Sequence, residues 1–287
     1  MKRSILVTGA TGTIGREVIR HLCKKDVAVR AGIRDVAKAR NQFGESVELT
    51  PFDFEDADSY PKALKDVEKL FVLPPLVPDQ VKVTLALVDA AKCAGVRHIV
   101  KLSAIGADPA ASFTVGRWHG ETDQYIRDSG LGFTLLRPNS FMQNFINYFP
   151  PRDSVIHLPW GEGRASFVDT RDVGAVAAEA LIGDGRDGVT YDVTGPEALG
   201  LADVARILSA VSGVQIRYVD VPEAAAREGM LQAHIPQWQV DALLELHAIN
   251  KQGHWEAVTS DVETVTGKPP TSFAQFARDH AQSFRAS

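Results

Sequence analysis

Short apolar runs alternate with helix-like segments through the first half of the chain. The runs are rich in β-branched residues, as buried parallel strands are, and they fall at 5–7, 27–33, 47–54, 69–73, 98–103 and 133–138. Between several of them, apolar residues recur every three or four positions, which is the spacing of one helix face. Six strands that alternate with helices predict an α/β fold with a doubly wound parallel (Rossmann) sheet.

Helix ends and strand ends are marked by residues with known positional preferences. Helices are predicted at 14–22, 37–43, 79–94 and 115–129. Gly95 and Gly130 follow the last two, as glycine often follows a helix. The acidic cluster 55–58 favours the start of a further helix because negative charge suits that end of the helix dipole. Pro74 and Pro75 stop the fourth strand and form a rigid segment without backbone donors.

The pattern changes after residue 138. Segment 139–160 is rich in aromatic residues and proline, and the tail 222–287 is mostly helical, with breaks near Pro236 and at 269–270. In between, helices are predicted at 171–181 and 201–211 and a strand at 189–193. We therefore expect two domains. They are a dinucleotide-binding domain at 1–140, with a return strand near 189–194, and a smaller, mostly helical substrate-side domain at 141–287.

Residues 7–15 (VTGATGTIG) join the first predicted strand to the first predicted helix. Gly9 permits a tight turn, Gly12 lets the backbone approach a ligand, and Gly15 lets the helix pack closely on the strand. The free N–H groups and positive dipole end of the helix form an anion site. The spacing therefore predicts binding of a dinucleotide pyrophosphate. The alternative is a glycine-rich loop that only turns the chain.

The end of the second strand indicates which dinucleotide binds. Arg34 stands about 20 residues beyond Gly15, where NAD-binding folds place an acid for the ribose 2′-hydroxyl. A guanidinium can instead pair bidentately with a 2′-phosphate, and Lys38 adds a second positive charge. Asp35 is the competing interpretation, since its carboxylate could accept from a free ribose hydroxyl. We expect NADPH to be preferred over NADH by roughly tenfold or more, about 1.4 kcal/mol.

Composition and charge exclude several classes of protein. A chain of 287 residues can bury about three quarters of its unfolded surface, so it needs no metal or disulfide to fold. The net charge of −5, without a basic cluster, argues against nucleic acid as a partner. No segment approaches the roughly 20 apolar residues of a membrane span. The first apolar run passes directly into the glycine loop, so we expect it to be structural and the protein to be cytoplasmic.

The two cysteines, Cys23 and Cys93, fall on predicted helices and lack the spacing of a disulfide or metal site. Free cysteine is among the most buried residue types. We therefore expect both to be buried thiols of the core, and we predict no metal.

Several motifs along the chain match those of one family. They are 7–15 (VTGATGTIG), 34–35 (RD) with Lys38, 73–75 (LPP), 95–100 (GVRHIV), 136–138 (LRP) with 141–144 (FMQN), and 167–169 (FVD) with 171–173 (RDV). With them, the chain resembles the NmrA-like atypical short-chain dehydrogenases. That family includes NADPH-dependent quinone, azo-dye and triphenylmethane-dye reductases and also cofactor-sensing regulators. The series covers most of the chain and is specific for the family rather than for a substrate.

The resemblance implies NADP(H) as the cofactor and assigns residues to its parts. Thr11, Thr13 and Ile14 should lie along the pyrophosphate, and Arg34 and Lys38 should hold the 2′-phosphate. Further assignments are Asp53 and Phe54 beside the adenine, Leu73, Pro74 and Ser103 along the path to the nicotinamide, and Phe141 and Met142 on its substrate side.

The usual catalytic pair of short-chain dehydrogenases, Tyr-x-x-x-Lys, does not follow Ser103, because the residue four positions after Tyr125 is Ser129. This disfavours ordinary alcohol dehydrogenation and sugar-nucleotide epimerisation. The remaining chemistry is hydride delivery to an acceptor that is electrophilic enough to need little acid. His119 is a candidate general acid near neutral pH, but it could equally cap or pack within its helix.

Aromatic residues of the segment after 138 offer a surface for a flat, conjugated acceptor. The candidates for substrate binding are Phe141, Met142, Phe145, Tyr148 and Trp160. The same stripe could instead be hydrophobic core.

Two functions remain. The first is an NADPH-dependent reductase of a small conjugated aromatic acceptor such as a quinone, an azo dye or a triphenylmethane dye. The second is a non-enzymatic sensor that binds NADP(H) and acts through a protein partner. Formation of a homodimer stays open.

Overall fold

The computed structural model describes residues 4–183 and 185–285. They divide into two compact units. The first takes its residues from Met1–Ala111, Gly116–Arg137 and Thr170–Asp192, and the second from Ser112–Val115, Pro138–Asp169 and Val193–Ser287.

The first unit is built on a seven-stranded sheet. Its strands are β1 (Ser4–Val7), β2 (Ala28–Ile33), β3 (Val47–Pro51), β4 (Lys69–Val72), β5 (His98–Leu102), β6 (Gly132–Pro138) and β9 (Val189–Val193), numbered along the whole chain. Their order in the sheet is β3-β2-β1-β4-β5-β6-β9, and every pairing from β3 to β6 is parallel. The strand order therefore reverses between β1 and β4, which confirms the doubly wound parallel sheet. In such sheets ligands bind at the carboxyl ends of the strands beside this reversal.

Six helices of the described residues lie wholly or mostly in the first unit. They are α1 (Thr13–Leu22), α2 (Val36–Ala39), α3 (Tyr60–Leu64), α4 (Gln80–Cys93), α5 (Thr114–Asp128) and α7 (Thr170–Ile182). Helices α1 and α7 approach closely, since a Cβ added at Gly174 would lie 2.5 Å from the Cβ of Glu17. Between the sheet and helices α3, α4 and α5 lies a buried apolar cluster that includes Leu64, Leu70 and Ile126. This packing fixes the carboxyl ends of the strands.

The second unit combines short strands with six helices. Its strands are β7 (Val155–Leu158), β8 (Arg164–Ala165), β10 (Leu199–Gly200) and β11 (Arg217–Asp220). Its helices are α6 (Asn144–Asn147), α8 (Leu201–Ser212), α9 (Glu223–Gln232), α10 (Gln237–Lys251), α11 (Asp261–Thr266) and α12 (Phe273–Asp279). Strand β7 pairs with β11 in parallel, and β8 pairs with β10 antiparallel. These strands are too short to show a period of two, so the sequence pattern did not predict them.

Two predicted helices differ from the observed ones. The segment predicted as helix 37–43 is α2 followed by a 3₁₀ turn, Arg40–Gln42, and the acidic cluster leads into a 3₁₀ turn, Ala57–Ser59, before α3. Asp35 and Asp56 explain both starts, because each carboxylate accepts a backbone N–H of the turn that follows it.

The prediction that both cysteines are buried is wrong, because Cys23 and Cys93 are exposed. Cys23 directly follows α1, and Cys93 is the last residue of α4. Helix ends point side chains toward solvent even where the helix centre is buried. Within the described residues, none of the helices is long enough and apolar enough to cross a lipid bilayer.

Candidate dinucleotide site

The glycine loop between β1 and α1 is shaped by close backbone contacts. Gly9 has a φ of +60°, a conformation that favours glycine, and its carbonyl oxygen accepts the N–H of Gly12 at 3.0 Å. A Cβ added at Gly15 would lie 2.2 Å from the same oxygen, so a side chain there would push the helix off the loop. At Gly12 an added Cβ would come near only the oxygen of Gly9, at 3.2 Å. The outer side of the turn is therefore open to a ligand.

The first turn of α1 has the free donors that an anion needs. Gly12 precedes the helix and supplies no side-chain cap, and the first turn contains no acidic residue. Thr13 and Ile14 open the helix, and the backbone N–H groups of such a turn have no intrahelical acceptor. Together with the dipole of a ten-residue helix, this donor set fits a pyrophosphate. Thr11, directly before it, is exposed at the tip of the loop.

The loop is tied to the end of β4 by Thr8. Its hydroxyl donates to the carbonyl of Phe71 at 3.0 Å and accepts the N–H of Leu73 at 2.9 Å. A Cβ added at Gly9 would lie 3.2 Å from the side chain of Leu73. The side chain of Leu73 therefore lies beside the glycine loop, and the buried Pro74 follows it in the chain. The cofactor path along these two residues stays a prediction.

Arg34 and Asp35, at the end of β2, use their charges differently. Asp35 accepts the backbone N–H of Lys38 at 3.1 Å, which caps α2, and its other oxygen lies 3.3 Å from the ammonium of Lys38. The exposed Arg34 makes no hydrogen bond or ion pair with another described residue. With Asp35 engaged by its own helix, the group open to a ribose substituent is a guanidinium. This supports the 2′-phosphate interpretation.

Asp53 and Phe54 lie two and three residues beyond β3. One oxygen of Asp53 accepts the N–H of Glu55 at 3.1 Å, and the backbone of Asp53 bonds to Ser59. Phe54 packs edge-to-face on Phe52 with the ring centroids 5.1 Å apart. Both side chains are partly buried in an ordered turn at the carboxyl edge of the sheet, where the adenine is predicted.

Ser103, at the carboxyl end of β5, belongs to a buried polar cluster. Its hydroxyl donates to Oδ2 of Asp123 at 2.7 Å, and the ammonium of Lys101 lies 2.7 Å from Oδ1. The guanidinium of Arg137 is 3.6 Å from Oδ2 and donates to the carbonyl of Ala107. Burial lowers the pKa of Lys101, while Asp123 acts in the opposite direction.

His119 adjoins this cluster. Its Nδ1 lies 3.1 Å from the ammonium of Lys101, and the residue is partly exposed. Burial and, to a smaller extent, the charge of Lys101 hold the pKa of His119 well below its ordinary value. The imidazole is therefore neutral at pH 7. A neutral ring is a hydrogen-bond donor but a weak general acid, which refines the role predicted for it.

The predicted substrate residues have different surroundings within the second unit. Met142, Phe145 and Trp160 are buried there. Phe145 packs edge-to-face on Phe149, Phe167 and Phe273, and Trp160 stacks on Phe167. Of the five, only Phe141 and Tyr148 present an exposed or partly exposed ring, and Tyr148 is 77% exposed.

Three residues of the polar cluster were not predicted as site residues, namely Lys101, Asp123 and Arg137. Two signals were present in the sequence. Lys101 is a charged residue inside an otherwise apolar strand, and Asp123 is four residues after His119, on the same helix face. Only the fold shows that these residues meet.

The whole chain matches known proteins at high coverage. It is 42% identical to the NAD(P)H azoreductase of Xenophilus azovorans over 98% of this chain and 99% of that one. It also resembles solved structures of the NADPH-dependent quinone oxidoreductase of Escherichia coli with NADPH (27% identity, TM-score 0.87, 96% of this chain and 99% of the other) and of the triphenylmethane reductase of Citrobacter sp. with NADP(H) (25%, 0.86, 96% and 99%).

Residues 1–274 match the NmrA-like family, which spans both compact units. The glycine loop, the open α1 terminus and the free Arg34 lie within that match. The chain belongs to the NmrA-like family.

Proposed function

We propose that this NADPH-dependent oxidoreductase transfers a hydride to a conjugated aromatic acceptor such as a quinone, an azo dye or a triphenylmethane dye. NADPH, when bound, supplies the hydride. The residues that would hold it are the loop from Gly9 to Gly15 at the pyrophosphate and Arg34 with Lys38 at the 2′-phosphate. The relatives described above include reductases named for each of these three acceptor classes.

The observation that carries the choice of acceptor is the chemistry of α5. A short-chain dehydrogenase needs a tyrosine and a lysine four residues apart, and α5 contains no such pair but carries His119 and Asp123. Tyr125 donates its hydroxyl to Asp89 at 2.7 Å, and this bond raises the pKa of the phenol. The hydroxyl of Ser103 donates a hydrogen bond to Asp123. With these side chains, a strong acid for a carbonyl oxygen is lacking among the described residues of α5 and β5.

An acceptor that is already electrophilic does not need such an acid. A quinone or azo group delocalises the negative charge that hydride addition creates, and a triphenylmethane dye is a cation that the hydride neutralises. Positioning is then the main catalytic contribution of the protein. The partly exposed ring of Phe141 and the exposed ring of Tyr148, both in the second unit, are of the type that binds flat, apolar molecules.

The test is NADPH oxidation, followed by its near-ultraviolet absorbance, with a panel of quinones, azo dyes and triphenylmethane dyes. We expect saturable turnover with at least one class, and loss of that turnover at low NADPH in Arg34→Ala. Tight NADPH binding without turnover on any acceptor would contradict the proposal. It would favour the alternative of a non-enzymatic sensor that acts through a protein partner.

A further inference from the structure

The buried ammonium of Lys101 lies between a carboxylate and an imidazole. Its Nζ is 2.7 Å from Oδ1 of Asp123 and 3.1 Å from Nδ1 of His119. We propose that Lys101 is a positioning residue that fixes His119 as the tautomer with its proton on Nε2, ready to donate a hydrogen bond to the anion formed on the acceptor. This inference rests on the proposed reductase function and predicts that His119 contributes differently to the reduction of different acceptor classes.

The direction of the hydrogen bond between Lys101 and His119 follows from their chemistry. An ammonium group has three donors and no acceptor, so Nδ1 of His119 must accept. A neutral imidazole with an accepting Nδ1 carries its proton on Nε2. Nε2 makes no hydrogen bond to another described residue. No described residue therefore engages this proton, and in our proposal its acceptor is the ligand.

Asp123 cannot take over this role from Lys101. In a Ser–His–Asp arrangement the carboxylate itself bonds to the imidazole and fixes the opposite tautomer. Here Oδ1 of Asp123 binds Lys101, while Oδ2 accepts from Ser103 and faces Arg137. The carboxylate orients the ammonium, and the ammonium orients the ring.

Burial, and to a smaller extent the charge of Lys101, keep His119 neutral. Lys101 faces it from β5, with Asp123 of the same helix and Arg137 of β6 behind the ammonium. Lys101 is completely buried, so water does not screen it from the ring. Protonation of His119 would put two cations 3.1 Å apart. The imidazole therefore acts as a fixed dipole, and not as a titrating acid, over the neutral pH range.

Acceptors should differ in their need for His119 according to the charge of the product that hydride addition forms. A neutral quinone or azo group that gains a hydride, one proton with two electrons, becomes an anion. The Nε2–H group of His119 stabilises that anion by a hydrogen bond, and a proton from water then completes the reduction. A cationic triphenylmethane dye that gains a hydride becomes neutral, so no anion forms. His119 should therefore matter more for quinones and azo dyes than for cationic dyes.

Nitrogen-15 NMR of the histidine-labelled full-length protein tests the tautomer directly, with His119→Gln used to assign the signal. We expect Nδ1 of His119 to be unprotonated and Nε2 to be protonated from pH 6 to pH 8. In Lys101→Met/Asp123→Asn, where both charges are removed together, we expect a mixture of tautomers and an upward shift of the His119 titration. A proton on Nδ1 in the wild type, or an unchanged tautomer in the double variant, would overturn the inference.

Kinetics give a second, independent readout. In His119→Phe, which has no donor, we expect kcat for a quinone to fall roughly tenfold relative to kcat for a cationic triphenylmethane dye, as for one lost hydrogen bond. Equal losses for the two acceptors would count against a role of His119 toward the anion. Because NMR needs no substrate, it decides the role of Lys101 even if no acceptor is turned over. Absence of turnover with every acceptor would contradict the proposed function but not the role of Lys101.

Discussion

Arg34 and Asp35 are neighbours in the chain, yet only one of them is open to a ligand. Both carboxylate oxygens of Asp35 contact Lys38: one accepts its backbone N–H and caps α2, and the other forms an ion pair with its ammonium. Arg34 is exposed, and its side chain makes no hydrogen bond or ion pair with another described residue. An exposed ion pair such as that of Lys38 is weak, so a 2′-phosphate can recruit the ammonium as well. In the proposed site, the choice between two dinucleotides depends on side-chain hydrogen bonds within five residues.

Replacement of this arginine should remove the cofactor preference. In Arg34→Ala we expect the KM for NADPH to rise roughly tenfold or more while the KM for NADH changes little, because NADH lacks the 2′-phosphate that the guanidinium would contact. Steady-state kinetics with both cofactors measures the ratio. Arg97→Ala is the matched control, since Arg97 is an exposed arginine just before the amino end of β5, away from the carboxyl ends of the strands. Equal KM values for the two cofactors in the wild type would contradict the 2′-phosphate assignment.

Helix α5 positions His119 and Asp123, and its own position is set by a glycine. A Cβ added at Gly120 would lie 2.1 Å from the carbonyl carbon of Asp108 and 2.3 Å from the nitrogen of Pro109. These are backbone atoms, which cannot move aside as a flexible side chain can. The helix therefore packs directly on the loop that follows β5, and the polar cluster depends on that contact.

A methyl group at this contact should destabilise the protein. We expect Gly120→Ala to lower the free energy of unfolding by about 2 kcal/mol, because the helix or the loop must shift. Gly229→Ala is the control. Gly229 lies within α9 with nothing within 4 Å of an added Cβ, so alanine there should stabilise by up to about 1 kcal/mol. Urea unfolding of both variants gives the comparison, and equal effects would contradict the packing argument.

The stability of the whole chain should depend on pH through a histidine outside the proposed site. His247 of α10 is buried, and its Nδ1 accepts the indole N–H of Trp160 at 2.5 Å. Burial lowers the pKa of His247 to about 4, from an ordinary value of 6.5. Below pH 6.5 the unfolded chain binds a proton that the folded chain excludes until about pH 4. Stability from this group is therefore complete above pH 6.5 and falls as the pH drops toward 4.

The contribution of His247 to the pH dependence of stability can be separated from that of the other histidines by comparing variants. Between pH 7 and pH 5, we expect the free energy of unfolding of the wild type to fall by about 2 kcal/mol more than that of His247→Gln. The same comparison with His254→Gln, at an exposed histidine, should show no such difference. Urea unfolding at several pH values provides the measurement. Parallel pH profiles for the wild type and His247→Gln would show that the ring is not excluded from water as the structure indicates.

The features that could be predicted from the sequence are local ones. The strands up to β6, the helices between them and the glycine loop each depend on residues within about a dozen positions of one another, so their spacing is visible in the chain. The parallel sheet followed from the alternation, because parallel strands need crossover helices. Arg34 could be singled out because its position is counted from Gly15 along one βαβ unit. For these features the periodicity of apolar residues and the chemistry of glycine were sufficient.

The polar cluster, the short strands and the burial of individual aromatic rings were decided by the tertiary structure. Lys101 and Asp123 come from a strand and a helix, and β7 pairs with β11 across about sixty residues of chain. No local sequence pattern predicts such pairings, since Lys101 and Asp123 each read as an isolated charge and β7 and β11 each read as a short loop. The same holds for Phe145 and Trp160, which lie in the core of their unit while Tyr148, from the same stretch, is exposed. Periodicity fixes which face of an element is apolar, but only packing decides which polar groups meet and which rings stay open.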